Sequence, residues 1–235
     1  IQGGAGTSTN MNINEVIANI ALEALGYQKG DYQNLHPNID VNMSQSTNDV
    51  YPSAVRLAIL LRQKSLVNEL EKIVEALQDK GKAFAHILKL ARTQLQDAVP
   101  MTLGQEFTGF SVTLSEDIKL LKQVGELLTE INIGGTAVGT GINTKKKYSY
   151  LAIETLSKLT DIKFSQAGDL IEASSDMGAF VIYSSVLKRL ALKLSKIAND
   201  LRLLSMGPRA GLSEISLPGR QPGSSIMQGK INPVI

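Results

Sequence analysis

Four short stretches of the chain concentrate hydroxyls and amides: GGAGTSTNMN (3–12), NMSQSTND (42–49), ARTQLQDAVP (91–100) and GSSIMQGKIN (223–232). Side chains of this kind are suited to holding an anion. Each stretch falls at a helix boundary, where unpaired backbone N–H groups and the helix dipole also favour negative charge. Taken singly, each has a plainer explanation. Ser46, Thr47, Asn48 and Asp49 are all N-cap types, Thr7 and Thr9 suit a turn, and Thr93 and Gln94 could bond a helix end. Caps alone do not require a flexible Gly-Ser-Ser (223–225) followed by the isolated Lys230 and Asn232. Four such clusters in one chain are hard to assign to capping alone.

The elements that must present these stretches are long helices. Phe107, Phe110, Leu114, Ile118, Leu121, Val124, Leu128 and Ile131 recur three or four apart, one apolar stripe over about seven turns. Leu187, Leu190, Leu194, Ile197, Leu201 and Leu204 form a second, with the 3,4 alternation of a narrow helix–helix seam. The pattern predicts further helices over about 53–78, 82–90 and 12–25, the last ending at Gly26. Strand signals are few, Val41 to Met43 and Thr136 to Val138 being too short to build a sheet. The expectation is an all-α, elongated helical bundle, with part of its core lying between subunits.

Bulk properties exclude several classes. The 235 residues are 43% hydrophobic and 20% charged, ordinary for a soluble globular protein. With 24 basic against 22 acidic side chains and a net charge of +2, there is no electrostatic case for nucleic acid or an anionic membrane. Lys145 to Lys147 read as a solvated loop. Cysteine is absent, which removes disulfides, thiolate metal sites and a cysteine nucleophile, and is compatible with a reducing cytosol. No apolar run approaches a membrane span. GTGIN (140–143 and its preceding glycine at 139) has no strand before it and is no dinucleotide fingerprint, and His36 and His86 have no ligand-spaced partners. His36 reads as a loop residue and His86 as a helix-surface or core residue; no metal or cofactor is implied. The chain has no initiator methionine and stops at NPVI, so both ends read as cut.

Taken in order, GTSTNMN, SQSTNDVYP, RTQLQDAVPMTLGQE, GGTAVGTGIN, SMGPRAGLSEISLP and GSSIMQGKIN resemble the motifs of the aspartase/fumarase superfamily, from one end of the chain to the other. GTSTNMN, QSTND and Gln94 resemble the aspartate ammonia-lyase branch more than the fumarase branch. The resemblance implies reversible deamination of L-aspartate to fumarate and ammonia, with abstraction of the C3 proton and an aci-carboxylate intermediate. It implies that Thr7, Ser46, Thr47 and Ser225 bind the carboxylate that receives the charge, and that Lys230 and Asn232 hold the other carboxylate. Asn48, Thr93 and Gln94 would surround the amino group, and Ser224 would be the general base. A serine alkoxide needs fixed positive potential and donors; no acidic residue follows Glu214, and Arg220 and Lys230 flank the loop.

The same resemblance implies a cytoplasmic homotetramer whose active sites draw on three subunits. Residues 1–235 would be the central helical-bundle domain, with the family's N-terminal and C-terminal domains missing. The family loop carries proline where Gln228 stands. Losing that φ restraint predicts a mobile loop with turnover reduced rather than abolished. Alternatives are a fumarate hydratase of the class II fumarase kind, or a non-catalytic helical scaffold, such as the lens crystallins of this superfamily, or an inactive fragment.

Overall fold

The computed structural model describes residues 4, 6–145 and 147–234. Gly3, Ala5 and Lys146, which fall in stretches singled out above, lie outside the described residues. The fold is all-α in class. Its helices are α1 (Thr7–Ala24), α2 (Thr47–Ala83), α3 (Leu103–Glu126), α4 (Tyr148–Thr160), α5 (Leu170–Ala173) and α6 (Gly178–Leu204), with a π turn at Pro37–Val41. Six short strands pair as three two-stranded ladders: antiparallel β1 (Leu88–Thr93) with β2 (Gln96–Thr102), parallel β3 (Glu130–Ile131) with β4 (Ser165–Gln166), and antiparallel β5 (Gln221–Pro222) with β6 (Ile231–Asn232).

The chain divides into two compact units, residues 1–67 with 121–183 and residues 68–120 with 184–235. In the first, Ala18 and Leu22 of α1 are fully buried, and Ile131, Ile153 and Phe164 form a cluster joined by Leu57, Leu60, Ile133, Leu156 and Ile162. α1 starts against α2 because residue 6 is glycine: a Cβ there would stand 2.4 Å from the Tyr51 ring. His36 caps the π turn, its Nδ1 accepting from the backbone N–H of Asn38 and Ile39 at 3.0 and 3.2 Å.

In the second unit, Val67's successors Leu70, Val74 and Leu77 on α2 are buried at helical spacing, as are Phe107, Phe110, Leu114 and Ile118 on α3 and Val186, Leu190, Ile197 and Leu204 on α6. Phe84, Phe107 and Phe110 pack edge to face. Asp117 on α3 is fully buried between Arg189 and Lys193 of α6, at 3.1 and 3.0 Å.

Several expectations need correction. All eight residues of the first stripe are buried, yet α3 ends at Glu126, and Leu128 and Ile131 reach the core through a turn and β3. On α6 Leu187 is exposed and Val186 takes its place in the seam. α1 and α2 begin five or six residues earlier than the apolar spacing indicated, because their first turns are polar. No helix covers 82–90: α2 stops at Ala83, Phe84 to His86 turn, and Leu88 opens β1. His86 is an exposed turn residue, neither on a helix nor in the core.

Candidate active site

In the first unit the sequence puts two polar helix starts side by side. Thr7 is the first residue of α1 and Thr47 the first of α2. The buried Asn10 joins them, its Nδ2 donating to Thr47 Oγ1 and to Asn42 Oδ1, both at 3.2 Å. Asn14 reaches the same Asn42 oxygen at 3.0 Å. The start of α2 is a reciprocal cap: Ser46 Oγ accepts from Asn48 N at 3.2 Å, and Asp49 Oδ1 accepts from Ser46 N at 2.9 Å.

These bonds orient what remains. Ser46 Oγ and Thr47 Oγ1 each have a lone pair engaged by a donor, which leaves their O–H protons to donate outward. Asn48 is turned the other way. Its Nδ2 donates to Ala137 O at 2.7 Å, so its carboxamide oxygen is presented as an acceptor. Two hydroxyl donors and one amide acceptor on the first turn of a helix suit a carboxylate beside an ammonium group.

Asn48 is held at its backbone too. Pro52 has no N–H to give the carbonyl one turn back, which is that of Asn48. Asn132 Nδ2 supplies the donor instead, at 3.1 Å, and also donates to Ser174 Oγ at 3.2 Å. Asp49 Oδ2 accepts from Gly134 N at 3.1 Å and Thr136 N at 3.0 Å, tying the turn that carries Ala137 to the same helix start. Burial pushes the Asp49 carboxyl above its ordinary value, against the opposing pull of backbone donors from Ser46, Thr136 and Gly134.

In the second unit Thr93 and Gln94 stand exposed at the tip of the β1–β2 hairpin, where Thr93 pairs with Gln96 across a two-residue turn. Gln94 and Leu95 both have left-handed backbones, φ 52 and 62, the form whose twist matches a hairpin but which usually recruits Asn and Gly. Along β1, Lys89 and Arg92 point inward to Glu214: Lys89 Nζ lies 3.0 Å from Glu214 Oε2, and Arg92 donates to Glu214 Oε1. Lys89 also pairs with Glu106. The Arg92 guanidinium holds the Glu214 carboxyl below its ordinary value, and Arg92 is raised in return by its bond to Glu214. Glu214 gets there because its N–H and that of Ile215 bond Leu204 O, folding the 205–215 segment back on the end of α6.

Gly223 to Asn232 is a compact hairpin. Gln221 pairs with Asn232 and Pro222 with Ile231, and Gly223 N donates to Lys230 O at 2.9 Å. Two β-turns follow one another on top, Met227 N to Ser224 O at 2.8 Å and Lys230 N to Met227 O at 3.1 Å. Ser224 Oγ accepts a long bond from Ile226 N, 3.4 Å. Ser224, Ser225 and Lys230 are exposed and Asn232 is half-buried. Among the described residues no hydrogen bond joins Thr93 or Gln94 to this loop.

The site residues named from sequence therefore fall in three displays: Thr7, Ser46, Thr47 and Asn48 at paired helix starts, Thr93 and Gln94 at a hairpin tip, and Ser224, Ser225, Lys230 and Asn232 on a tight loop. Sequence reasoning missed the supports. Asp49 was legible only as a cap type, although its position three after Ser46 is the capping-box spacing. Asn10 and Glu214 gave no signal beyond lying inside the matched motifs, and Asn132, two residues before GGTAVGTGIN, gave none.

A lyase family model matches residues 1–235, and the chain belongs to that family. The resemblance to the aspartase/fumarase superfamily is thereby borne out. Aspartate ammonia-lyase from Pseudomonas canavaninivorans is 65% identical over the whole chain, and that from Escherichia coli K12 57%. The chain spans about half the length of these curated relatives, 50% and 49%. A Brucella melitensis fumarate lyase:delta crystallin structure, bound to cobalt, matches with a TM-score of 0.95 at 61% identity, covering 99% of this chain and 50% of that one. A class II fumarase from Schistosoma mansoni matches at 0.92 and 36% identity, covering 97% of this chain and 51% of that one.

Proposed function

We propose that this chain is part of an ammonia-lyase that converts L-aspartate reversibly to fumarate and ammonia. The observation that carries the reading is the orientation at the start of α2: Ser46 and Thr47 are set to donate, Asn48 to accept. That set fits a carboxylate next to a protonated amine. The relatives at 57–65% identity bear the same activity in their names.

The chemistry follows from the charge that develops. Removing the C3 proton puts a second negative charge on the adjacent carboxylate, so catalysis needs donors aimed at that group. Thr7, Ser46, Thr47 and Ser225 supply hydroxyls, and two helix N-termini add their dipoles. Lys230 and Asn232 hold the second carboxylate, while Asn48, Thr93 and Gln94 surround the amino group. Ser224 takes the proton, on a loop whose flanks carry Arg220 and Lys230 and whose closure excludes water. From the family resemblance the reading also takes a homotetramer whose sites draw on three subunits, and a cytoplasmic enzyme; the three displays, on separate segments, are compatible with such sharing.

The test is absorbance at the fumarate band with full-length protein given L-aspartate, L-malate or argininosuccinate. Fumarate from L-aspartate is expected. Fumarate from L-malate alone makes the protein a fumarate hydratase, and none from any of the three leaves a scaffold.

A further inference from the structure

We propose that Asp49 is a positioning residue for the aspartate site: by clamping the 134–137 turn against α2 it fixes the Asn48 carboxamide with its oxygen toward the substrate's amino group. The inference rests on the ammonia-lyase reading above.

Asp49 is 1% exposed, and among the described residues no cation pairs with it. A buried carboxylate without a counter-charge is costly, so its two oxygens must each earn a place by hydrogen bonding. A cap uses one of them, Oδ1 on Ser46 N. The other is committed to a different segment altogether, the N–H groups of Gly134 and Thr136. An asparagine could not replace it, since an amide has one acceptor oxygen and would set its NH2 against these N–H donors.

What the second oxygen holds is strained. Thr136 is β-branched, buried, and has φ 55, a left-handed conformation such residues rarely adopt. Its own Oγ1 is buried with no hydrogen-bond partner. Nothing in the side chain rewards that conformation; the bond from its N–H to Asp49 does. The consequence lies one residue on, where Ala137 O receives Asn48 Nδ2 at 2.7 Å. Asn132 completes the fixture by taking the Asn48 carbonyl that Pro52 leaves unpaired, and Ser53 Oγ braces both, donating to Asp49 O at 2.7 Å with Asn132 Oδ1 3.4 Å away. Asn48 is thus held at its backbone N–H by Ser46 Oγ, and at its backbone carbonyl and side chain by Asn132 and Ala137 O, two groups that need not touch substrate.

A device that orients an acceptor for an amine makes a specific prediction that general stabilisation does not. In full-length Asp49→Asn, KM for L-aspartate should rise roughly tenfold or more, the loss of about one hydrogen bond to a charged group. The inhibition constant of fumarate, which has no amine, should move less than about threefold on the same scale. Ser53→Ala, a milder change away from substrate, should shift the same ratio in the same direction by a few-fold, and it decides the matter if Asp49→Asn does not fold. Equal shifts for L-aspartate and fumarate in both variants, or none in Ser53→Ala and Asp49→Asn alike, overturn the positioning role while the wild type stays active. A wild type that makes no fumarate from L-aspartate overturns it through the functional reading instead.

Discussion

At position 228 the 223–232 loop keeps a backbone N–H where the superfamily motif has proline. Gln228 is the second residue of the turn closed by Lys230 N and Met227 O, and Gly229 after it has φ 78. That is the pattern of a type II turn, whose second position prolines favour and whose third needs glycine. The turn bond, with the ladder below it, supplies part of the restraint that the proline ring would add, so the substitution loosens the loop rather than dismantling it. If the loop closes over substrate as proposed, Gln228→Pro removes conformations from its open form without straining the turn at 227–230. It should raise turnover by roughly two- to fivefold, the equivalent of about 0.4–1 kcal/mol in favour of the closed form. Slower hydrogen exchange across 223–230 should accompany the gain. Unchanged turnover and unchanged exchange together would show that residue 228 does not limit closure.

The β1–β2 hairpin shows why some elements were legible and others were not. Helix α3 could be read directly, because its buried apolar residues recur three or four apart, although Ser111 and Asp117 are buried on it too. In β1 the polarity is inverted: Leu88 and Leu90 are exposed while Lys89 and Arg92 turn inward to Glu106 and Glu214. Phe84, Ile87 and Leu90 then mimic a helical spacing, and the Gln94–Leu95 turn lacks the Asn-Gly that announces a hairpin. The decisive partner, Glu214, lies more than a hundred residues on and no local pattern names it. Glu214→Gln tests whether that partner holds the hairpin. It replaces a doubly paired carboxylate with a neutral acceptor, and should cost about 1–3 kcal/mol of unfolding free energy at pH 7. The folded Glu214 binds its proton less readily than the unfolded one, whose ordinary value is 4.5. Its stabilisation is therefore complete above that value and disappears as pH falls through the lower folded one. Urea unfolding of both proteins should give curves that differ at pH 7 and converge at the acid end; a gap that persists there would assign the effect to packing.

For the whole molecule, the motif resemblance identified the family and named the residues of the candidate site, while the supports of that site needed three dimensions. Ser46, Thr47 and Asn48 were visible as polar residues at a helix start. That the Thr47 lone pair and the Asn48 amide protons are already engaged by Asn10 and Ala137 O was not, because those partners come from separate segments. The three displays of the site bear on assembly in the same way. α1 exposes Ile13, Val16, Ile17 and Ile20, and α6 exposes Val181, Ile182 and Leu192, apolar surface on helices that the proposed tetramer would cover. If the sites are shared, two inactive variants with lesions in different displays must be able to complement one another. Ser224→Ala removes the proposed base and should lower turnover by roughly two to four orders of magnitude, while Asn48→Ala removes the proposed amine acceptor. Unfolding and reassembling the two full-length variants together would place both lesions in some sites and neither in others, since each site would draw its Ser224 and its Asn48 from different subunits. Activity of the mixture should then rise well above that of either variant reassembled alone, in step with the fraction of intact sites. A mixture no more active than its parents, from subunits shown by mass to have exchanged, would mean that one chain furnishes both residues, and the sharing would be wrong even if the chemistry were right.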